Sequence, residues 1–270
     1  MTIPEYTIPA KVMTIATSDS GSGAGINADL KTIAANHCYG TSVFVALTAQ
    51  NTQAVNAIYP IEADFICSQF HTILDDIGTD TIKIGMLHRQ VVIETVAKLL
   101  SGYPQIPVVL DPVMISQSGY QLLETDAMQA MTQLLFPLAS LITPNLQEAA
   151  WLLNQSEINA DQMLTSAKRL AELYQVNVLL KGGHLAGDEC QDLLYEYQSG
   201  NIHYFKHQRI DTFNCHGTGC TLSAAIASQL ALGQSLTRAI SIAVDYLQRA
   251  LIAGKNERIG HGPGPVKHFH

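Results

Sequence analysis

Residues 12–37 read VMTIATSDSGSGAGINADLKTIAANH. An apolar, partly β-branched run gives way to Ser, Asp and Gly, and then to apolar residues spaced near one helical turn. That is a strand, a tight turn and a helix. The unit recurs along the chain. SVFVALTA (42–49) precedes EADFICSQFHTILDDI (62–77), and TIKIGML (81–87) precedes VVIETVAKLLSG (91–102). PVVLDPVM (107–114) and ASLITPN (139–145) also read as strands, followed by helices over 146–153 and 161–174. VNVLLKGG (176–183) is a further strand, and DLLYEYQSGNIHYFKHQRI (192–210) a hairpin turning at QSGN. Helices over 219–232 and 236–252 follow, with Gly233 as a C-cap between them. The alternation predicts a single-domain, three-layer α/β/α sandwich with a mostly parallel central sheet. The domain is expected over residues 12–270, after a tail over 1–11. Ligands of such sheets bind beyond the carboxyl ends of the strands. The words TSDSGSGAG, TAQNT, GML, DPVM, TPN and KGGH all fall there.

Composition narrows the function. With 47% hydrophobic and 14% charged among 270 residues, the chain has the make-up of a folded domain with a large core. A net charge of −8 with no basic block argues against nucleic acid or an anionic membrane as partner. An anionic ligand would have to rely on backbone dipoles and a few placed cations. MTIPEYTIPA lacks a cationic start and an apolar core, so it does not read as a signal peptide. Five cysteines without regular spacing fit a reducing compartment, and a cytoplasmic protein is expected.

The glycine word after the first strand fits the relaxed dinucleotide pattern through Gly23, Gly25 and Ala28. No Asp or Glu occurs between Lys31 and Ile61, where a ribose-binding acid would be needed. The alternatives are a plain tight turn, or a turn that lets a small ligand approach the backbone with Asp29 facing it. A Walker A loop is absent. In NLQE, Asn145 and Glu148 read first as a capping box. A second reading has Glu148 and Asp111 organising water around Mg²⁺, which needs few protein ligands. Lys181, at a strand end beside two glycines, is either solvated or a phosphate contact. In DTFNCHGTGCTLSAA (211–225), the cysteine spacing fits neither a zinc site nor a thioredoxin pair. What remains is GTGC opening a helix, whose free N–H groups and dipole bind anions. The same field would lower the pKa of Cys220 and make it partly thiolate at neutral pH. The alternative is a buried structural cysteine.

At these words the sequence resembles the phosphomethylpyrimidine kinases of thiamine biosynthesis, within the ribokinase-like superfamily. The likeness runs from about Val12 to Phe269, through SDSGSGAGINADLKT, YGTSVFVALTAQNT, IKIGML, LDPVM, LITPNLQEA, LLKGGH, DTFNCHGTGCTLSAA and GHGPGPVKHF. It implies ATP-dependent phosphorylation of 4-amino-5-hydroxymethyl-2-methylpyrimidine and then of its monophosphate, with Mg²⁺, in a homodimer. The pyrimidine pocket would fall on Ala24, Asp29, Gln50, Met86 and Val113. The anion hole would fall on Gly217, Thr218, Gly219 and Cys220, with Cys220 as the base. Asp111 and Glu148 would face the metal, and Asn145 and Lys181 the nucleotide.

The sequence departs from the family's usual words at a few positions. Thr17 replaces a glycine, which is expected to narrow the pocket or alter a backbone contact. Gln117 replaces a lysine and Tyr120 an aspartate, which puts the second phosphorylation in question. Cys215 stands where threonine is common. Two competing readings remain open. One is a pyridoxine or pyridoxal kinase; the other is a pyrimidine-binding sensor without chemistry, which the intact GTGC word disfavours.

Overall fold

Thr17 closes the first strand and Gly25 opens the first helix, with the glycine turn between them. β1 (Lys11–Thr17) and α1 (Gly25–Ala35) are the unit that the opening sequence predicts. The computed structural model describes residues 7–114, 125–183 and 187–270. The further strands are β2 (Tyr39–Gln50), β3 (Val55–Pro60), β4 (Thr81–Ile84), β5 (Val108–Leu110), β6 (Leu141–Ile142), β7 (Asn177–Leu180), β8 (Glu189–Tyr195) and β9 (Ile202–Gln208). The further helices are α2 (Ala63–Asp76), α3 (Gln90–Ser101), α4 (Thr125–Ala130), α5 (Leu146–Leu152), α6 (Met163–Tyr174), α7 (Thr218–Ala231) and α8 (Leu236–Gly254).

The strands form one sheet in the order β3-β2-β1-β4-β5-β6-β7-β8-β9. The run from β2 to β7 is parallel; β3 pairs antiparallel with β2 at one edge, and at the other β8 runs antiparallel to β7 and β9 to β8. Alternate residues feed two cores. Met13, Ile15, Val108 and Leu110 pack against α2 to α6, while Val12, Val109, Leu141 and Leu179 pack against α7 and α8. The three-layer, mostly parallel architecture is therefore the one predicted. Strands buried on both faces are apolar throughout, which is why they read so plainly in the sequence.

Two parts were not anticipated. β3 is a short edge strand that ends in Pro60, where a missing N–H costs little. α4 continues through a π turn (Met131–Leu135) into a 3₁₀ turn containing Pro137, so no single period runs through it.

Residues 212–237 contain no Asp, Glu, Lys or Arg, which the place of α7 in the core explains. The helix is built largely of Ala, Ser and Leu and is buried on most sides. Its buried serine hydroxyls bond within the helix: Ser223 Oγ to the Gly219 carbonyl at 2.9 Å, Ser228 Oγ to that of Ala224 at 2.8 Å. After α8 the chain returns as a strap. Gly262 N–H donates to Thr52 Oγ1 at 3.1 Å and His216 N–H to the Gly264 carbonyl at 3.0 Å. The buried His268 ring lies 3.2 Å from Thr221 Oγ1, and Tyr246 donates to the His268 carbonyl at 2.8 Å.

Burial, aided by the positive charges of Lys31 and His270, pushes the His268 imidazole down to about 4. The unfolded chain binds a proton near pH 6.5 that the folded chain refuses, so this group costs stability as pH falls from 6.5 towards 4. The cost reaches at most about 3 kcal/mol. Urea unfolding at pH 6.5 and 4.5 should show a smaller pH-dependent loss in His268→Gln than in the unaltered protein. Equal losses would remove His268 as a source.

Candidate active site

The glycine turn after β1 and the turn before α7 are pressed together. Gly217 has φ +79°, and a Cβ there would overlap the Gly23 carbonyl oxygen. Gly25 has φ +57°, and its Cβ would strike the Thr17 carbonyl. Both positions need glycine for conformation and for space. Gly217 is the N-cap of α7, so Thr218, Gly219 and Cys220 form its first turn. These N–H groups lack intrahelical partners; that of Thr218 donates to the Cys215 carbonyl at 3.4 Å, and all three residues line the cleft at the sheet edge.

Two clefts meet there. One, of about 530 Å³, is lined by Thr17, Ala24, Gln50, Met86, Val113, Asp111, Glu148, Gly217 and Cys220. The other, of about 640 Å³, lies between β8, β9 and α8 and is lined by Cys190, Asp192, His207, Arg209, Leu247 and Gln248. Asn145, Lys181, Thr218 and Gly219 line both. Of the residues that the resemblance assigns to the site, all but Asp29 line this pair of clefts: Ala24, Gln50, Met86, Asp111, Val113, Asn145, Glu148, Lys181, Gly217, Thr218, Gly219 and Cys220. Gln117, Tyr120 and His184 lie outside the described residues.

Asp29 requires correction. It does not face the cleft but lies fully buried beneath it. Its carboxylate takes two hydrogen bonds from Lys83 Nζ, at 2.8 and 2.9 Å, and one from Thr14 Oγ1 at 2.6 Å. α1 turns this face inward, onto the lysine that β4 sends into the core. Burial opposes the Lys83 charge, but the Asp29 carboxylate outweighs it and holds the ammonium above the usual lysine range. Gly85 leaves room for it: a Cβ there would lie 2.8 Å from Lys83 Nζ.

The state of Cys220 also differs from expectation. Part of its surface opens to the cleft, yet burial pushes the thiol up to about 11, against the opposing charge of Lys83 and with the carboxylates of Asp29 and Asp111 adding to the rise. Desolvation of the thiolate therefore exceeds what the Lys83 charge and the Gly25 N–H return. The resting group at neutral pH is a thiol.

Asn145 and Glu148 make the capping box: Asn145 Oδ1 accepts the Glu148 N–H at 2.9 Å and Glu148 Oε2 accepts the Asn145 N–H at 2.8 Å. This structural reading coexists with their place on the cleft wall. Burial, with repulsion from Asp111 and against attraction by Lys181, pushes Glu148 up to about 7. Lys181 Nζ lies 2.8 Å from Asp111 Oδ1, which also accepts the Thr143 hydroxyl at 3.0 Å. Lys181 is not a solvated strand-end lysine; it is a paired cation facing both clefts. Thr17 does line the cleft, but its hydroxyl donates to the Met86 carbonyl at 3.0 Å. Among the described residues no group of three or more His, Cys, Asp or Glu could hold a metal by itself.

Sequence reasoning gave no role to Lys83, Asp19, His216, Asp192 or His207. The one visible signal was Lys83, a lysine at a core-facing position in the apolar strand TIKI.

Residues 19–267 match the family Phosphomethylpyrimidine kinase. The chain belongs to this family. The hydroxymethylpyrimidine/phosphomethylpyrimidine kinase of Rhizobium meliloti (strain 1021) is 44% identical over 97% of both chains. The thiamine biosynthesis bifunctional protein ThiED of Geobacter sulfurreducens is 42% identical over 96% of this chain, which spans 52% of that protein. Phosphomethylpyrimidine kinase-family membership agrees with the fold. A Bacillus subtilis pyridoxal kinase solved with ADP superposes with a TM-score of 0.86 at 36% identity, covering 96% of this chain and 97% of that one.

With a thiol pKa of about 11, alkylation of Cys220 by iodoacetamide should accelerate about tenfold per pH unit between pH 7 and 9.5, without levelling. Peptide mass mapping separates it from the other cysteines. A plateau near neutral pH would mean that the helix field dominates after all.

Proposed function

We infer that the protein transfers the terminal phosphoryl group of ATP to 4-amino-5-hydroxymethyl-2-methylpyrimidine and then to its monophosphate, in thiamine biosynthesis. The observation that carries this reading is the junction: two clefts share one glycine-lined helix N-terminus. An alcohol acceptor on one side and a nucleotide on the other would meet at that terminus. Phosphoryl transfer depends mainly on positioning and on stabilising charge on the moving group. The N–H groups of Gly217, Thr218, Gly219 and Cys220 serve as the anion hole. Gln50 can donate to and accept from an aminopyrimidine, while Ala24, Met86 and Val113 offer surface to its ring.

Asn145 and Lys181 face the nucleotide phosphates. Asp111 and Glu148 fit a hard cation held chiefly by water and phosphate, because both are oxygen donors on the cleft wall. When bound, Mg²⁺ supplies neutralisation of phosphate charge; these two residues would hold it. Cys220 takes the hydroxymethyl proton late in the reaction. A base with a pKa of about 11 is a strong but scarce thiolate at pH 7, so kcat should rise with pH across the neutral range.

A pyridoxal kinase activity is the second reading, favoured by the superposition on a pyridoxal kinase. A homodimer and a cytoplasmic location complete the proposal. Among the described residues no helix is long and apolar enough to cross a membrane.

Incubation with Mg-ATP and equal amounts of the hydroxymethylpyrimidine and pyridoxal, followed by mass spectrometry, should give pyrimidine monophosphate and then diphosphate. Pyridoxal phosphate as the main product would transfer the protein to the second reading, and no product would favour a sensor. Cys220→Ala should lose about a hundredfold or more in kcat while keeping pyrimidine affinity. Near-normal turnover would remove Cys220 as the base.

A further inference from the structure

Asp19 and His216 meet where the two glycine turns touch. The Asp19 carboxylate is buried and accepts N–H groups from Gly21 at 2.8 Å, Gly23 at 3.1 Å and Ala24 at 2.8 Å. Its Oδ2 also lies 2.9 Å from His216 Nε2. Burial acts to raise the Asp19 pKa, but the hydrogen bond and charge of His216 and the N–H groups of Ala24 and Gly21 outweigh it, holding the carboxyl below its usual range. A carboxylate only accepts, so His216 Nε2 carries a proton.

That nitrogen is also 3.4 Å from Gln50 Nε2, which would set two donors against each other. On the far side, Gln50 Oε1 lies 3.4 Å from Thr48 Oγ1, whose hydrogen is already given to the Ser18 carbonyl at 2.9 Å. Oxygen then faces oxygen with no proton between. A half-turn of the Gln50 amide relieves both conflicts: its oxygen then shares, at the longer distance, the His216 Nε2 proton given to Asp19, and its NH₂ donates to Thr48. The Gln50 backbone is fixed meanwhile, since its N–H and carbonyl both bond Ser20 Oγ at 2.7 Å.

We propose that Asp19 and His216 determine ring specificity in the acceptor cleft, by fixing the polarity of the Gln50 amide and so the heterocycle edge that it accepts. This rests on the reading that the cleft takes an aminopyrimidine. Such a ring offers an amino donor beside a ring-nitrogen acceptor, and an amide of fixed polarity pairs with them in one orientation only. Pyridoxal has no amino donor beside its ring nitrogen. Gly23 belongs to the device, because a side chain there would overlap the His216 ring.

The test compares kcat/KM for the hydroxymethylpyrimidine and pyridoxal in the unaltered protein and in His216→Leu. The variant should raise KM for the pyrimidine about tenfold or more, with kcat and KM for ATP within about threefold. The preference for pyrimidine over pyridoxal should fall by a similar factor, and His216→Gln, which keeps an N–H donor, should recover much of it. A parallel decline for both substrates, or an unchanged pyrimidine KM, would overturn the proposal in favour of a structural role. If the unaltered protein does not turn over pyridoxal, the split between pyrimidine KM and ATP KM decides. If it turns over no pyrimidine, the functional reading fails and this inference with it.

Discussion

The contact between two bare backbones governs the site. Gly217 can lie against the Gly23 carbonyl only because neither turn has side-chain bulk there. That contact draws the start of α7 against the start of α1, so two helix N-termini converge at one point of the sheet edge. It also brings Asp19 and His216 together although 197 residues separate them. The two clefts share a floor because their loops share this contact. A side chain at position 217 would separate the loops and dissolve the junction.

Below that floor lies a second constraint of another kind. Lys83 and Asp29 form an ion pair with both side chains fully buried. Such pairs are costly to desolvate and costly to break, so they act more as locks than as sources of stability. This lock ties α1 to β4 directly under Cys220. The ammonium offsets part of the cost of a thiolate above it, and Asp29 and Asp111 work the other way. Burial prevails, so the cysteine rests as a thiol rather than as a standing thiolate.

Much of this was legible in the sequence, and the limits have physical causes. Strands such as PVVL and VNVLL declare themselves because helices cover both faces. The edge strand β3 and the mixed helix after Thr125 do not, since neither holds one period for long enough. The cleft residues could be located because glycine-rich and polar words must fall at strand ends in this architecture. Asp29 misled because a helix pattern does not tell whether a polar residue faces a ligand or a partner lysine from another strand. The state of Cys220 misled because desolvation depends on the whole surround, whereas only the helix terminus is written locally. The Asp19–His216 pair leaves no spacing signal at all.

The strap behind the site carries a consequence for the order of assembly. Residues 262–268 hold together the loop at Thr52, the turn at His216 and the first turns of α7. The bond from Gly262 to Thr52 spans 210 positions of chain. On a ribosome, everything the strap fastens emerges before the strap itself. Sheet and helices can condense early, while the loop at Thr52 and the turn at His216 cannot be fastened until the strap is delivered. The newborn protein therefore meets the elements of its sheet before it meets the strap that pins the two clefts' loops.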